Sequence, residues 1–130
     1  LHRPADSAIA VADADRHPLT AADLGRLRLP GAELAFLAAC ETARTGPALG
    51  DEAVHLASVL HVAGYRHVVA TLWAVSDRPA SALSGRVYRD LAGHGGPDRL
   101  AHAVREAVLW SRDRYPGRPS AWAGYVHMGP

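Results

Sequence analysis

Apolar and polar residues fall into short blocks along this chain, and the period of the blocks changes. Residues 7–12, "SAIAVA", read as a short strand, and "DADRH" after them as a turn. Thr20 is a good N-cap residue, so a helical turn is expected from Ala21. A loop with Pro30 spans Arg28 to Gly31. "ELAFLAAC", residues 33–40, is a continuous apolar run of strand length. Such a run suits a strand covered on both faces, as in a parallel sheet with helices above and below. "GDEAVHLASVLHVAG" predicts a helix that Asp51 can cap and Gly64 stops. "HVVATLWAV", residues 67–75, is a second buried strand. "SDRPASALSGRVYRDLAG" predicts a second helix, with Asp77 as N-cap, Pro79 in the first turn and Gly93 past its end. "GHGGP" is a flexible connector. "PDRLAHAVREAVLWSRDRY" predicts a third helix with Leu100, Ala101, Val104, Ala107 and Val108 on one stripe. "PGRPS" breaks it, and "AWAGYVHMG" closes the chain as a strand.

Strands alternating with helices imply an α/β fold, a mainly parallel sheet flanked by helices in three layers. In such sheets ligands sit beyond the carboxyl ends of the strands. Cys40 ends one predicted strand, and the segment from Ala74 to Asp77 ends the next, so the two ends are expected to be neighbours.

Composition narrows the classes. The 130 residues are 48% hydrophobic and 21% charged, enough for one core and one domain. A formal charge of +1, with arginines scattered, leaves no electrostatic footprint for nucleic acid. One cysteine excludes an internal disulfide framework and a Cys-rich zinc site, and a reducing, cytoplasmic setting fits best. No apolar run approaches the ~20 residues of a membrane span. The start, "LHRPADSAIAV", has no initiator Met and reads as part of a longer protein.

A cysteine at a strand end is either a core residue or an exposed nucleophile, and a nucleophile needs a base or a positive field to form its thiolate. The eight histidines offer no obvious base. His55 and His61 share a helix, but their spacing puts them on different faces. His67 opens a strand at the end opposite the expected rim. His94 and His102 read as solvated, His127 lies in the last strand, His17 in a turn and His2 near the start. Glu41 follows Cys40 directly. Asp77 reads either as a helix cap or as the floor of a pocket for a cationic substrate, and Trp73 either as packing or as pocket wall. A flavodoxin-like nucleotide site is disfavoured, since no glycine-rich phosphate loop follows a strand.

Four segments, "LPGAELAFLAACETARTG", "GDEAVHLASVLHVAGYRHVVATLWAVSD", "VYRDLAG" and "SAWAGYVHMG", resemble in order the C-terminal portion of CHAT domains. These are caspase-like cysteine peptidase domains, often fused to tetratricopeptide repeats. An Ala-Cys-Glu-Thr segment followed by Leu-Trp-x-Val-x-Asp also resembles separases. The resemblance implies a caspase-like fold incomplete at the N-terminus, with residues 1–130 as a single domain. It implies that Cys40 is the nucleophile, its backbone N–H part of an oxyanion hole, and that Asp77 recognises a substrate arginine, with Glu41 and Trp73 beside it. No metal or organic cofactor is implied. The expected partners are a protein or peptide substrate and regulatory regions of the same protein, not nucleic acid or membrane. The family's catalytic His belongs to a His-Gly pair ahead of the Cys. His2 is followed by Arg, so the chain is expected to be inactive alone. The alternative is a non-catalytic interaction domain that retains the fold.

Overall fold

The computed structural model describes residues 8–9, 19–38 and 48–130. Among these the order is β1 (Ala8–Ile9), β2 (Leu19–Thr20), α1 (Ala21–Arg26), β3 (Leu34–Leu37), α2 (Ala48–Ala63), β4 (His67–Thr71), α3 (Asp77–His94), α4 (Leu100–Arg114) and β5 (Tyr125–Met128). Single 3-10 turns precede α4 at Pro97–Arg99 and β5 at Pro119–Ala121.

All five residues of β4, "HVVAT", are buried, as the unbroken apolar run predicts for a central strand. β3 pairs with it in parallel, Leu34 opposite His67 and Leu37 opposite Ala70. β5 pairs on its other side, antiparallel, with Val69 opposite His127. Side chains alternate between the two faces. Val69 packs with Leu83, Val87 and Leu91 of α3 and with Leu100, Ala103, Val104 and Ala107 of α4, and Leu34, Phe36 and Tyr125 flank them. On the other face Val68 and Ala70 meet Leu24 of α1 and Ala57 and Leu60 of α2, with Ala35, Leu37, Val126 and Met128 alongside. The fold is therefore mixed α/β with helices on both faces of a three-stranded sheet.

The sheet corrects the expectation of a mainly parallel arrangement: one pairing is parallel and one antiparallel. The cause is the pair of helices between β4 and β5. α3 leads away from the carboxyl end of β4 and α4 leads back, so the chain re-enters the sheet from that end and must run against β4. A second two-stranded antiparallel ladder joins β1 to β2. The rest of the predicted strand 7–12 and the turn after it lie outside the described residues.

Local signals were legible with small displacements. Thr20 caps α1 as predicted: its hydroxyl accepts from Asp23 N–H at 3.1 Å, while the Asp23 carboxylate accepts from Thr20 N–H at 3.2 Å. The Thr20 hydroxyl and backbone hold the Asp23 carboxyl below its ordinary range. Gly64 ends α2 with φ +125°, and a Cβ there would meet the Leu29 carbonyl at 2.7 Å. α2, however, begins at Ala48, so Asp51 lies inside its first turn rather than capping it. α3 runs through Gly93 to His94, because the positive φ that stops it belongs to Gly95, whose N–H bonds the Leu91 carbonyl. On α4 the buried stripe is Leu100, Ala103, Val104, Ala107 and Ser111, and Ala101 faces solvent. No helix among the described residues is long and apolar enough to cross a membrane.

Leu83, fully buried between α3 and the sheet, sets the first prediction. Leu83→Ala should lower the unfolding free energy by about 2–5 kcal/mol, the usual cost of such a cavity. Thr20→Ala should cost only about 1 kcal/mol, the usual value of a cap. Urea midpoints at constant slope check both values.

Candidate active-site rim

Parallel, in-register pairing of β3 and β4 brings their carboxyl ends to one edge of the sheet. The loop Leu72–Ser76 leaves β4 at this edge. It is tied down at three points. Leu72 N–H donates to the Gly124 carbonyl at 2.8 Å. The Trp73 indole N–H donates to the Ser120 carbonyl at 2.8 Å. Val75 is buried. Gly124 lies under the indole, where an added Cβ would come within 2.6 Å of Trp73 Cε2. Trp73 is thus partly buried, with its only polar group already engaged.

Asp77 follows as the first residue of α3 and is exposed. Ser76, not Asp77, occupies the N-cap position, in extended conformation with φ −61° and ψ 146°. The reading of Asp77 as N-cap is therefore corrected. Pro79 and Ala80 are both buried, and Ala80 N–H donates to the Ser76 carbonyl, so the helix starts one residue earlier than predicted. Asp77 stands at a helix N-terminus, where backbone N–H groups favour a negative charge. Cys40 and Glu41 lie outside the described residues; β3 ends at Leu37, three residues before Cys40.

The described histidines lie elsewhere. α3 starts at the rim and runs 18 residues away from it, which puts His94 at the far end, where its Nδ1 lies 3.2 Å from the Asp90 carbonyl oxygen. His102, near the start of α4, contacts Arg99. His61 ends α2 with Nδ1 3.0 Å from the Tyr65 carbonyl oxygen, just before β4 begins. His55 sits midway along α2. His67 and His127 meet at the far end of the sheet, a pairing the sequence reading missed. Both were recognised as strand residues, but only the β4–β5 register could join them.

An open groove of about 300 Å³ between α3 and α4, lined by Arg86, Arg89, Asp90, His94, Ala103 and Glu106, does not include the rim residues. Among the described residues no three His, Cys, Asp or Glu side chains are grouped to hold a metal ion.

With this geometry stands a sequence match. The family model of the CHAT domain matches residues 1–130, the entire chain. The chain belongs to the CHAT domain family. No curated protein and no solved structure gives a significant match. In this CHAT domain the chain that leads on to Cys40 leaves β3, and the loop carrying Trp73, with Asp77 after it, leaves the adjacent parallel strand β4.

Gly124 has no positive φ, so only the indole demands a glycine there. Gly124→Ala should cost about 1–3 kcal/mol by overpacking. In a Trp73→Ala background the same change should cost less than about 0.5 kcal/mol, as usual for substitutions that strain nothing. A double-mutant cycle on urea unfolding measures the difference.

Proposed function

We propose that this CHAT domain carries the nucleophile of a caspase-like cysteine endopeptidase. The observation that carries the reading is the in-register parallel pairing of β3 with β4. It brings the carboxyl ends of β3 and β4 to one edge of the sheet, which is where an α/β sheet binds its ligands. In the sequence the Ala-Cys-Glu-Thr segment follows the first of these ends and Asp77 the second.

In this reading Cys40 gives its proton to a histidine and its thiolate adds to the scissile carbonyl. The tetrahedral oxyanion collapses and the C–N bond breaks. The amine leaves with the proton, and water hydrolyses the thioester. Asp77 pairs with an arginine before the cut through charge-assisted hydrogen bonds. Its exposed carboxylate makes no hydrogen bond or ion pair with the described residues. Trp73 contributes the face of its ring, since its N–H is engaged, and Glu41 lies next to the nucleophile in the chain. The caspase-like arrangement, the protein or peptide substrate, regulation by tetratricopeptide or other regions of the same protein, and a reducing cytoplasmic setting belong to the same proposal.

The second reading is a non-catalytic interaction domain that retains the fold. In the intact protein the two readings separate. Cys40→Ala should abolish cleavage of arginine-containing peptides. Asp77→Asn should reduce the arginine-over-neutral ratio of kcat/KM roughly ten- to hundredfold, the value of about 1.5–3 kcal/mol for a hydrogen bond to a charged group. Its urea midpoint should move little, because Ser76 holds the cap position. Cleavage that survives Cys40→Ala, or an unaltered ratio in Asp77→Asn, removes the assigned roles. An intact protein that binds a partner through this domain but cleaves nothing is the scaffold.

A further inference from the structure

The end of the sheet remote from the rim holds two histidines that the proposed chemistry does not use. His67 opens β4 and is 1% exposed. His127 lies opposite Val69, so His67 is its diagonal neighbour on the same face. The rings stack, with centroids 5.4 Å apart and planes 23° apart. His67 Nδ1 and His127 Nε2 are 3.2 Å apart, within hydrogen-bond distance. Gly129 closes over the pair: a Cβ there would lie 2.7 Å from His67 Nδ1 and 3.1 Å from His127 Nε2. The other ring nitrogen of His67, Nε2, is buried and has no hydrogen-bond partner among the described residues.

We propose that His67 and His127 form an acid-sensitive clasp, which holds β5 on β4 while both rings are neutral and releases it as they take up protons. Among the described residues β5 is an edge strand of this sheet, so its release breaks one ladder of that sheet. With both rings neutral, one nitrogen of the facing pair donates and the other accepts. A first proton leaves that N–H···N bond in place but puts a charge in a buried site. A second gives both facing nitrogens a hydrogen and removes the acceptor.

The surrounding charges are already committed. Arg66 adjoins His67 in the chain and pairs with Asp98 of the turn before α4 at 2.6 Å, and more loosely with Glu33 ahead of β3 at 3.8 Å. Burial is the main force holding His67 below the ordinary histidine value, and Arg66 adds to it; Asp98 and Glu33 oppose, and His61 from α2 adds to the lowering. His127 is lowered by burial and then by His67. The sign follows. A group lowered in the closed form binds protons more readily once released, so closure is complete above the ordinary value of 6.5 and is lost as pH falls below it.

Amide hydrogen exchange across β5 in the full chain, corrected for intrinsic pH dependence, tests the clasp, with the amides of α3 as internal reference. Between pH 6.5 and 5.5 the opening constant of β5 should rise by up to about tenfold for each histidine released, since one pH unit is a factor of ten per proton. His127→Gln retains hydrogen-bonding groups but cannot titrate; it should hold the rise to about tenfold at most. Opening of β5 that ignores pH, or that responds equally in wild type and His127→Gln, overturns the proposal. If His127→Gln fails to fold, the wild-type imidazole NMR titration decides. Two rings titrating together below the ordinary histidine value support the clasp; independent titration at or above that value overturns it.

Discussion

The rest of the molecule depends on one constraint: β4 has no exposed face. Five consecutive buried residues need cover on both sides of the sheet, and α1 with α2 on one side and α3 with α4 on the other supply it. Backbone groups in such a strand need partners on both edges as well, because an unpaired buried N–H or C=O is costly. β3 and β5 meet that demand. The two neighbours then differ in direction for a purely topological reason, one intervening helix against two.

That difference gives the sheet two chemically unlike ends. At the carboxyl end of β4 the backbone turns out into a loop pinned by Gly124 and Ser120, and the exposed acid Asp77 stands at a helix N-terminus. At the amino end the chain packs tightly around Arg66, with Glu33 and Asp98 beside it and the two imidazoles against Gly129. β5 touches both ends. The segment that enters it seats Trp73, and its third residue is His127, so the strand that supports the rim is also the one held by the histidine pair.

Arg66 shows how a modest surface group organises one end. Its pairs are about half exposed, and exposed pairs of this kind contribute only about 0–1 kcal/mol each. Their consequence is positional. They link the residue ahead of β3 to the turn ahead of α4 across the start of β4, and they hold there two carboxylates that partly offset the lowering of His67 by burial and Arg66.

Much of this was written in the sequence. The buried run of β4, the Thr20 cap, the Gly64 stop and the apolar face of α4 are local, because they rest on near-neighbour chemistry: side-chain period, capping hydroxyls and the conformational freedom of glycine. Membership of the CHAT domain family was legible for the same reason, since the resemblance rests on short sequence segments such as "LAACETARTG" and "ATLWAVSD". Helix ends were less so. The N-cap of α3 moved from Asp77 to Ser76, with Pro79 and Ala80 both buried in the first turn, a tertiary feature. The direction of β5, the seat of Trp73 on Gly124 and the meeting of His67 with His127 across 60 residues of chain belong to the tertiary structure alone. Each depends on which strands pair and in what register, and side-chain periodicity is the same for a strand whichever neighbour it finds and whichever way it runs.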